Sequence, residues 1–125
     1  MTQFKSKFEE QVAELYGYKE LYELTKLTYT LANTYTPDFT ISDNVFLECK
    51  GFFKPSDRRK MLEVMKQHPD KKFIMLFQNS TVKLTKKSNT SYGDWCNKQG
   101  ITWFCWKTKK PTKRILTMAA SSSSD

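Results

Sequence analysis

The sequence predicts an α/β fold in which a mixed sheet carries helices on its faces, and three observations point there. An apolar stripe spaced by three and four residues near the N-terminus reads as an amphipathic helix, and two short strand-like stretches flank Asp43-Asn44. The third is an uninterrupted apolar run, Phe73 to Phe77, placed after a helical stretch that His68-Pro69 closes. A chain of 125 residues fits one domain, which at this size buries roughly two-thirds of the surface of its unfolded form. Residues 1–106 are expected to form that domain. Residues 107–125 are expected to be a disordered tail, basic from Lys107 to Arg114 and then Ser-rich.

Taken in order, Phe4, Phe8, Val12, Leu15 and Tyr16 fall on one helical face, and Gly17 follows as a stop. From Tyr18 to Leu31 Tyr, Thr and Leu alternate loosely, which favours one extended strand or two. Asp38–Ser42 and Val45–Lys50 read as an antiparallel pair, because Asp43-Asn44 tolerates the positive φ angles of a tight hairpin. Period-two alternation then turns Val45, Leu47 and Cys49 to one face and Phe46, Glu48 and Lys50 to the other. Pro55-Ser56-Asp57 starts a helix whose stripe is Met61, Leu62, Val64 and Met65. The apolar run after it has the character of a strand buried on both faces, as in a parallel strand–helix–strand unit. Thr90-Ser91 caps a short helix stopped by Gly100, and an aromatic strand, Ile101 to Trp106, ends the domain.

The chain carries 21 Lys and Arg against 13 Asp and Glu, a formal net charge of +8. Such a surface favours polyanions, nucleic acid foremost, since neutralising phosphates releases condensed counterions. No stretch reads as a basic amphipathic helix with a broad apolar face, so an anionic membrane is the weaker partner. The apolar runs are too short to span a bilayer and charges interrupt the N-terminus, so the expected location is the cytoplasm. Cys49, Cys96 and Cys105 form no CxxC pair and read as buried thiols. With His68 the single histidine, zinc is not expected.

The chemistry concentrates in Pro37-Asp38, followed after nine residues by Glu48-Cys49-Lys50, a PD…(D/E)xK pattern. A hairpin brings Asp38 and Glu48 to one edge, where carboxylates and the Cys49 carbonyl offer oxygen to a hard cation such as Mg²⁺, for which Mn²⁺ substitutes. A cation so held activates water and offsets charge growing on a phosphoryl group. Lys50, two residues from Glu48, shares its face and can contact the phosphate, stabilise the transition state or position the water. Glu9 admits two readings: a further acid for the same site, or the last residue of a capping box, Ser6-Lys7-Phe8-Glu9, that fixes the helix start. Lys5, Lys7, Lys54, Arg58, Arg59, Lys60, Lys86 and Lys87 are the candidates for tracking a phosphate backbone.

Tyr35-Thr36-Pro37-Asp38-Phe39, Glu48-Cys49-Lys50-Gly51, Asp57-Arg58-Arg59-Lys60, Gln67-His68-Pro69 and Thr90-Ser91-Tyr92-Gly93 occur in an order that resembles the bacteriophage endonuclease I family, from about Ser6 to about Phe104. The resemblance implies a restriction-endonuclease-like fold, a mixed central sheet flanked by helices. It also implies a Mg²⁺-dependent enzyme that resolves Holliday junctions and debranches DNA, with Glu9, Asp38, Glu48 and Lys50 as its catalytic group. The family dimer is intertwined, each site taking its helix glutamate from the partner. Here residues 18–34 would hold the bridge, centred on Lys26 to Leu31. This chain departs from the family in lacking a proline there, in a shorter N-terminal arm and in its Ser-rich tail. Two other readings stand beside junction resolution: the same core acting on duplex DNA as a nicking, homing or restriction-type enzyme, and a junction-binding protein that does not cut.

Overall fold

The computed structural model describes residues 3–29 and 33–121, the side chains of Asn33 and Ser121 excepted. The first helix, α1 (Lys7–Tyr16), begins where Ser6 leaves extended backbone and its Oγ accepts the Glu9 N–H at 3.1 Å. It ends at Gly17, whose φ of 73° is the left-handed cap that glycine adopts without a Cβ penalty. Phe8, Val12, Ala13 and Tyr16 are buried, as the stripe requires, but Leu15 is exposed. The stripe is therefore narrower than the sequence spacing implies.

Residues 18–34 are not one extended segment. A 3₁₀ turn spans Lys19–Leu21, and Glu23 takes a left-handed φ of 49° while its N–H reaches the Asp38 carbonyl at 2.8 Å. This bend lets Tyr18 pack among the apolar residues beside α1. Strand β1 (Leu27–Tyr29) then pairs antiparallel with β2 (Asn33–Tyr35) of the same chain, Leu27 opposite Tyr35. Thr30 and Leu31, the end of the expected bridge, lie outside the described residues.

Strands β3 (Phe39–Ser42) and β4 (Val45–Lys50) form the expected antiparallel pair, with a register shift between Thr40 and Ser42. The turn needs no positive φ at Asp43 or Asn44; the irregularity in β3 supplies the adjustment instead. Helix α2 (Pro55–Gln67) leads to β5 (Lys72–Phe77), parallel to β4. Helix α3 (Tyr92–Gln99), capped by Ser91 and closed by Gly100, leads to β6 (Thr102–Cys105), parallel to β5. The sheet order is β3-β4-β5-β6, with one antiparallel and two parallel pairings.

Both faces of this sheet are covered, which is why nearly every residue of β4 and β5 is buried. On one face Val45, Leu47, Cys49, Ile74 and Leu76 pack with α1. On the other, Phe46, Phe73, Met75 and Phe77 meet Met61 and Val64 of α2, Tyr92 and Trp95 of α3, and Leu27 and Tyr35 of the hairpin. Leu62 stays partly outside, so the α2 stripe is Met61, Val64 and Met65. Among the described residues no helix is long and apolar enough to cross a membrane.

Order does not end at Lys107. A fourth helix, α4 (Lys113–Ser121), follows Pro111, whose carbonyl accepts the Tyr16 hydroxyl. Leu116 is fully buried in the α1 cluster, with Ala119 and Ala120 against it, and the Ala119 carbonyl accepts from Lys72 Nζ at 2.7 Å. The expectation of a disordered tail from Lys107 is thus corrected through Ser121, because Leu116, Ala119 and Ala120 share a helical face among the basic residues. Residues 122–125 lie outside the described set.

Candidate active site

The pairing of Phe39 with Leu47 sets Asp38, just before β3, opposite Glu48. Two hydrogen bonds lock the carboxylates in place. Asp38 donates its backbone N–H to Glu48 Oε1 at 3.1 Å, and Cys49 donates its own to Asp38 Oδ2 at 2.8 Å. Each carboxylate is thus held by the backbone of the strand that carries the other. Lys50 lies on the same face as Glu48, its Nζ 3.8 Å from Glu48 Oε2 and 3.6 Å from Asp57 Oδ1 at the start of α2.

Glu9 arrives from α1 and is as buried as Asp38, both being 7% exposed, with Glu48 at 4%. The capping-box reading of Glu9 is half met. Its N–H does bond to Ser6 Oγ, but its carboxylate does not return to Ser6; Oε1 instead accepts from the Lys5 N–H at 3.1 Å and the Tyr22 hydroxyl at 2.6 Å. Glu9, Asp38, Glu48 and Lys50 together line a cavity of about 240 Å³, bordered by Lys5, Lys60 and Tyr35. All four catalytic candidates therefore converge.

Burial, and then the nearby charges of Glu48 and Glu9, holds the Asp38 carboxyl well above the usual carboxylate range. Burial also raises Glu48, although Lys50 works against it. The Cys49 thiol is pushed up by burial and by the same acids, and it sits on the opposite face with α1, leaving only its backbone to serve the site. Among the described residues no set of three His, Cys, Asp or Glu side chains already stands arranged around an ion. The donor chemistry nevertheless suits a hard divalent cation: three buried carboxylates press on one another, and a cation would relieve that repulsion.

The basic candidates divide. Lys5 and Lys60 line the cavity itself, Lys5 also pairing with Glu23 at 2.9 Å. Lys60 borders a second cavity of about 380 Å³ with Arg59, Ser56 and Tyr29, so a basic track leads away from the acids along α2. Lys7, Lys54, Lys86 and Lys87 are exposed. Arg58 is turned inward, its Nη1 donating to the Phe53 carbonyl at 2.8 Å, which makes it a brace for the loop after β4.

Two tyrosines of the site have no motif of their own in the sequence. Tyr22 holds Glu9, and Tyr35 lines the cavity with its buried hydroxyl directed at Glu48, where it helps to offset the effect of burial on that carboxyl. Tyr35 falls within the Tyr35-Thr36-Pro37-Asp38 stretch, but Tyr22 lies 13 residues from Glu9 and nothing in its spacing marks it.

The profile of the phage endonuclease I family matches residues 1–111, which include every one of these acids and Lys50. The chain belongs to the phage endonuclease I family. It is 40% identical over 104 residues to endodeoxyribonuclease 1 of Enterobacteria phage T3, a match covering 78% of this chain and 68% of that protein. Endonuclease I of Escherichia phage T7 is likewise 40% identical over 104 residues, covering 78% of this chain and 70% of the phage T7 protein. Helix α4 begins at Lys113, beyond the residues that the family profile matches.

Proposed function

We propose that this chain is a structure-selective endodeoxyribonuclease that resolves four-way junctions and other branched DNA by metal-dependent phosphodiester hydrolysis. The observation that carries the proposal is the interlocked pair Asp38 and Glu48, with Lys50 on the same edge and Glu9 brought in by α1. Asp38, Glu48, Glu9 and the Cys49 carbonyl are the groups that would hold Mg²⁺, or Mn²⁺ in its place. When bound, the ion supplies Lewis acidity and a water of lowered pKa. Water adds to phosphorus, the bond to the leaving sugar oxygen breaks, and that oxygen takes up a proton. Lys50, steered by Asp57, stabilises the charge that develops on the phosphoryl oxygens.

Lys5, Lys60 and Arg59 guide the phosphate backbone into the cavity, and Lys7, Lys54, Lys86 and Lys87 extend the positive field to other arms of the substrate. Symmetric cutting of a junction needs two sites, so the working form is a homodimer. The segment before Thr30 carries Glu9, and its exchange between two copies would place that acid in the partner's site. The similarity to nucleases named from phages T3 and T7 supports DNA as the substrate.

The test is a gel assay comparing a four-way junction with linear duplex of the same sequence. Mg²⁺ or Mn²⁺ is expected to support junction cleavage, Ca²⁺ to permit binding alone, and Glu48→Ala to bind without cutting. Equal cleavage of the linear duplex would rule out junction selectivity, and binding without cleavage in any metal would rule out the nuclease.

A further inference from the structure

The Tyr22 ring is packed edge-on against Phe4, centroids 4.4 Å apart, and tilted on Phe39 at 5.5 Å. Its backbone bridges Phe39, the first residue of β3 and the neighbour of Asp38. From that fixed mount its hydroxyl donates to Glu9 Oε1 at 2.6 Å and accepts from the Lys5 N–H at 2.9 Å, while the same N–H also reaches Glu9 Oε1 at 3.1 Å. The three groups form a closed triangle. Rotating the Glu9 carboxylate would break both of these hydrogen bonds, which are partly buried.

Glu9 needs such a restraint more than the other acids do. Asp38 and Glu48 each accept a strand N–H, whereas Glu9 reaches the site from a helix, on a stem of two methylenes, close enough for its charge to act on both of them. Lys5, Glu9 and Tyr22 also all precede Thr30, so the triangle stays intact whether the segment serves its own chain or a partner's.

We propose that Tyr22 is a positioning residue for Glu9, its hydroxyl holding the carboxylate in the orientation that metal-dependent cleavage requires. This rests on the nuclease reading above. Hydrogen-bond partners of metal-binding carboxylates typically change metal affinity or rate by about 10–100-fold when removed, so Tyr22→Phe is expected to lower kcat about tenfold. Junction affinity in Ca²⁺ should stay within about twofold, because the ring and the basic surface are unchanged. The affinity of the DNA-free protein for Mn²⁺, read by calorimetry, should fall by about tenfold as well. In a Glu9→Gln background the same substitution should change kcat by less than about twofold, the signature of two residues acting as one unit.

Rates are normalised to the fraction of protein that binds junction, so incomplete folding does not count as lost catalysis. Phe4→Leu, which loosens the mount but leaves the hydroxyl, is expected to lower Tm and to lower normalised kcat less than Tyr22→Phe does. Unchanged kcat and Mn²⁺ affinity in Tyr22→Phe overturn the assignment, as does an equal loss in the Glu9→Gln background. Absence of cleavage by the wild type would instead overturn the nuclease reading, and the Mn²⁺ titration would still decide the role of Tyr22.

Discussion

Asp38 and Glu48 each accept a backbone N–H from the strand that bears the other, so their position is a property of β-pairing rather than of side-chain preference. The cost is electrostatic, since both carboxyls are raised above their ordinary range by burial and, for Asp38, by the neighbouring acids. Raised native pKa values mean that the folded protein keeps protons which the unfolded chain has released. The corresponding stability is full below the unfolded pKa values and is lost as pH rises through the folded ones. In EDTA, Asp38→Asn is therefore expected to raise stability at neutral pH by on the order of 1 kcal/mol and to flatten the fall in Tm with rising pH, while abolishing cleavage. Scanning fluorimetry of both proteins from acid to neutral pH checks this, and a variant less stable than wild type at neutral pH would contradict it.

At the scale of elements, β4 and β5 are the frame on which everything else is hung. β4 was legible from its period-two alternation and β5 from an uninterrupted apolar run, as a strand buried on both faces requires, and Glu48 and Lys50 are the polar residues of β4 that point to the candidate site. Helix α4 was not legible, since its residues follow a basic run and its buried contacts come from β3, β5 and the cluster they share with α1 rather than from itself. Leu116 is its anchor, with no exposed surface. Leu116→Ala is expected to cost about 2–4 kcal/mol in denaturant unfolding, the range for emptying a buried leucine site. A loss below about 0.5 kcal/mol, ordinary for a surface substitution, would show that α4 is not docked in solution.

For the whole molecule, the net charge of +8 has a direction as well as a size. Lys5 and Lys60 line the acidic cavity, and Lys60 continues the track toward Arg59 along α2. A surface of this kind binds by displacing counterions from several phosphates at once, so junction affinity in Ca²⁺ should fall steeply with salt. Five phosphate contacts would give a log–log slope of about −4.5. Filter binding across a salt series measures it, and a slope near zero would remove the backbone contacts from the account.

Local rules were enough to determine the helix start at Ser91, the β3–β4 pair, the parallel step to β5 and the grouping of Asp38, Glu48 and Lys50, while the first helix begins at Lys7 and leaves Phe4 outside the stripe read from spacing. Each of these depends on residues within a few positions of one another or on a repeating period. Only the tertiary structure decided that Glu9 faces those acids, that Tyr22 and the Lys5 amide hold it, that Arg58 turns inward, and that the chain beyond Lys107 folds back onto α1. Those contacts join segments with no shared periodicity, and side-chain hydrogen bonding and packing across such distances leave no trace in spacing.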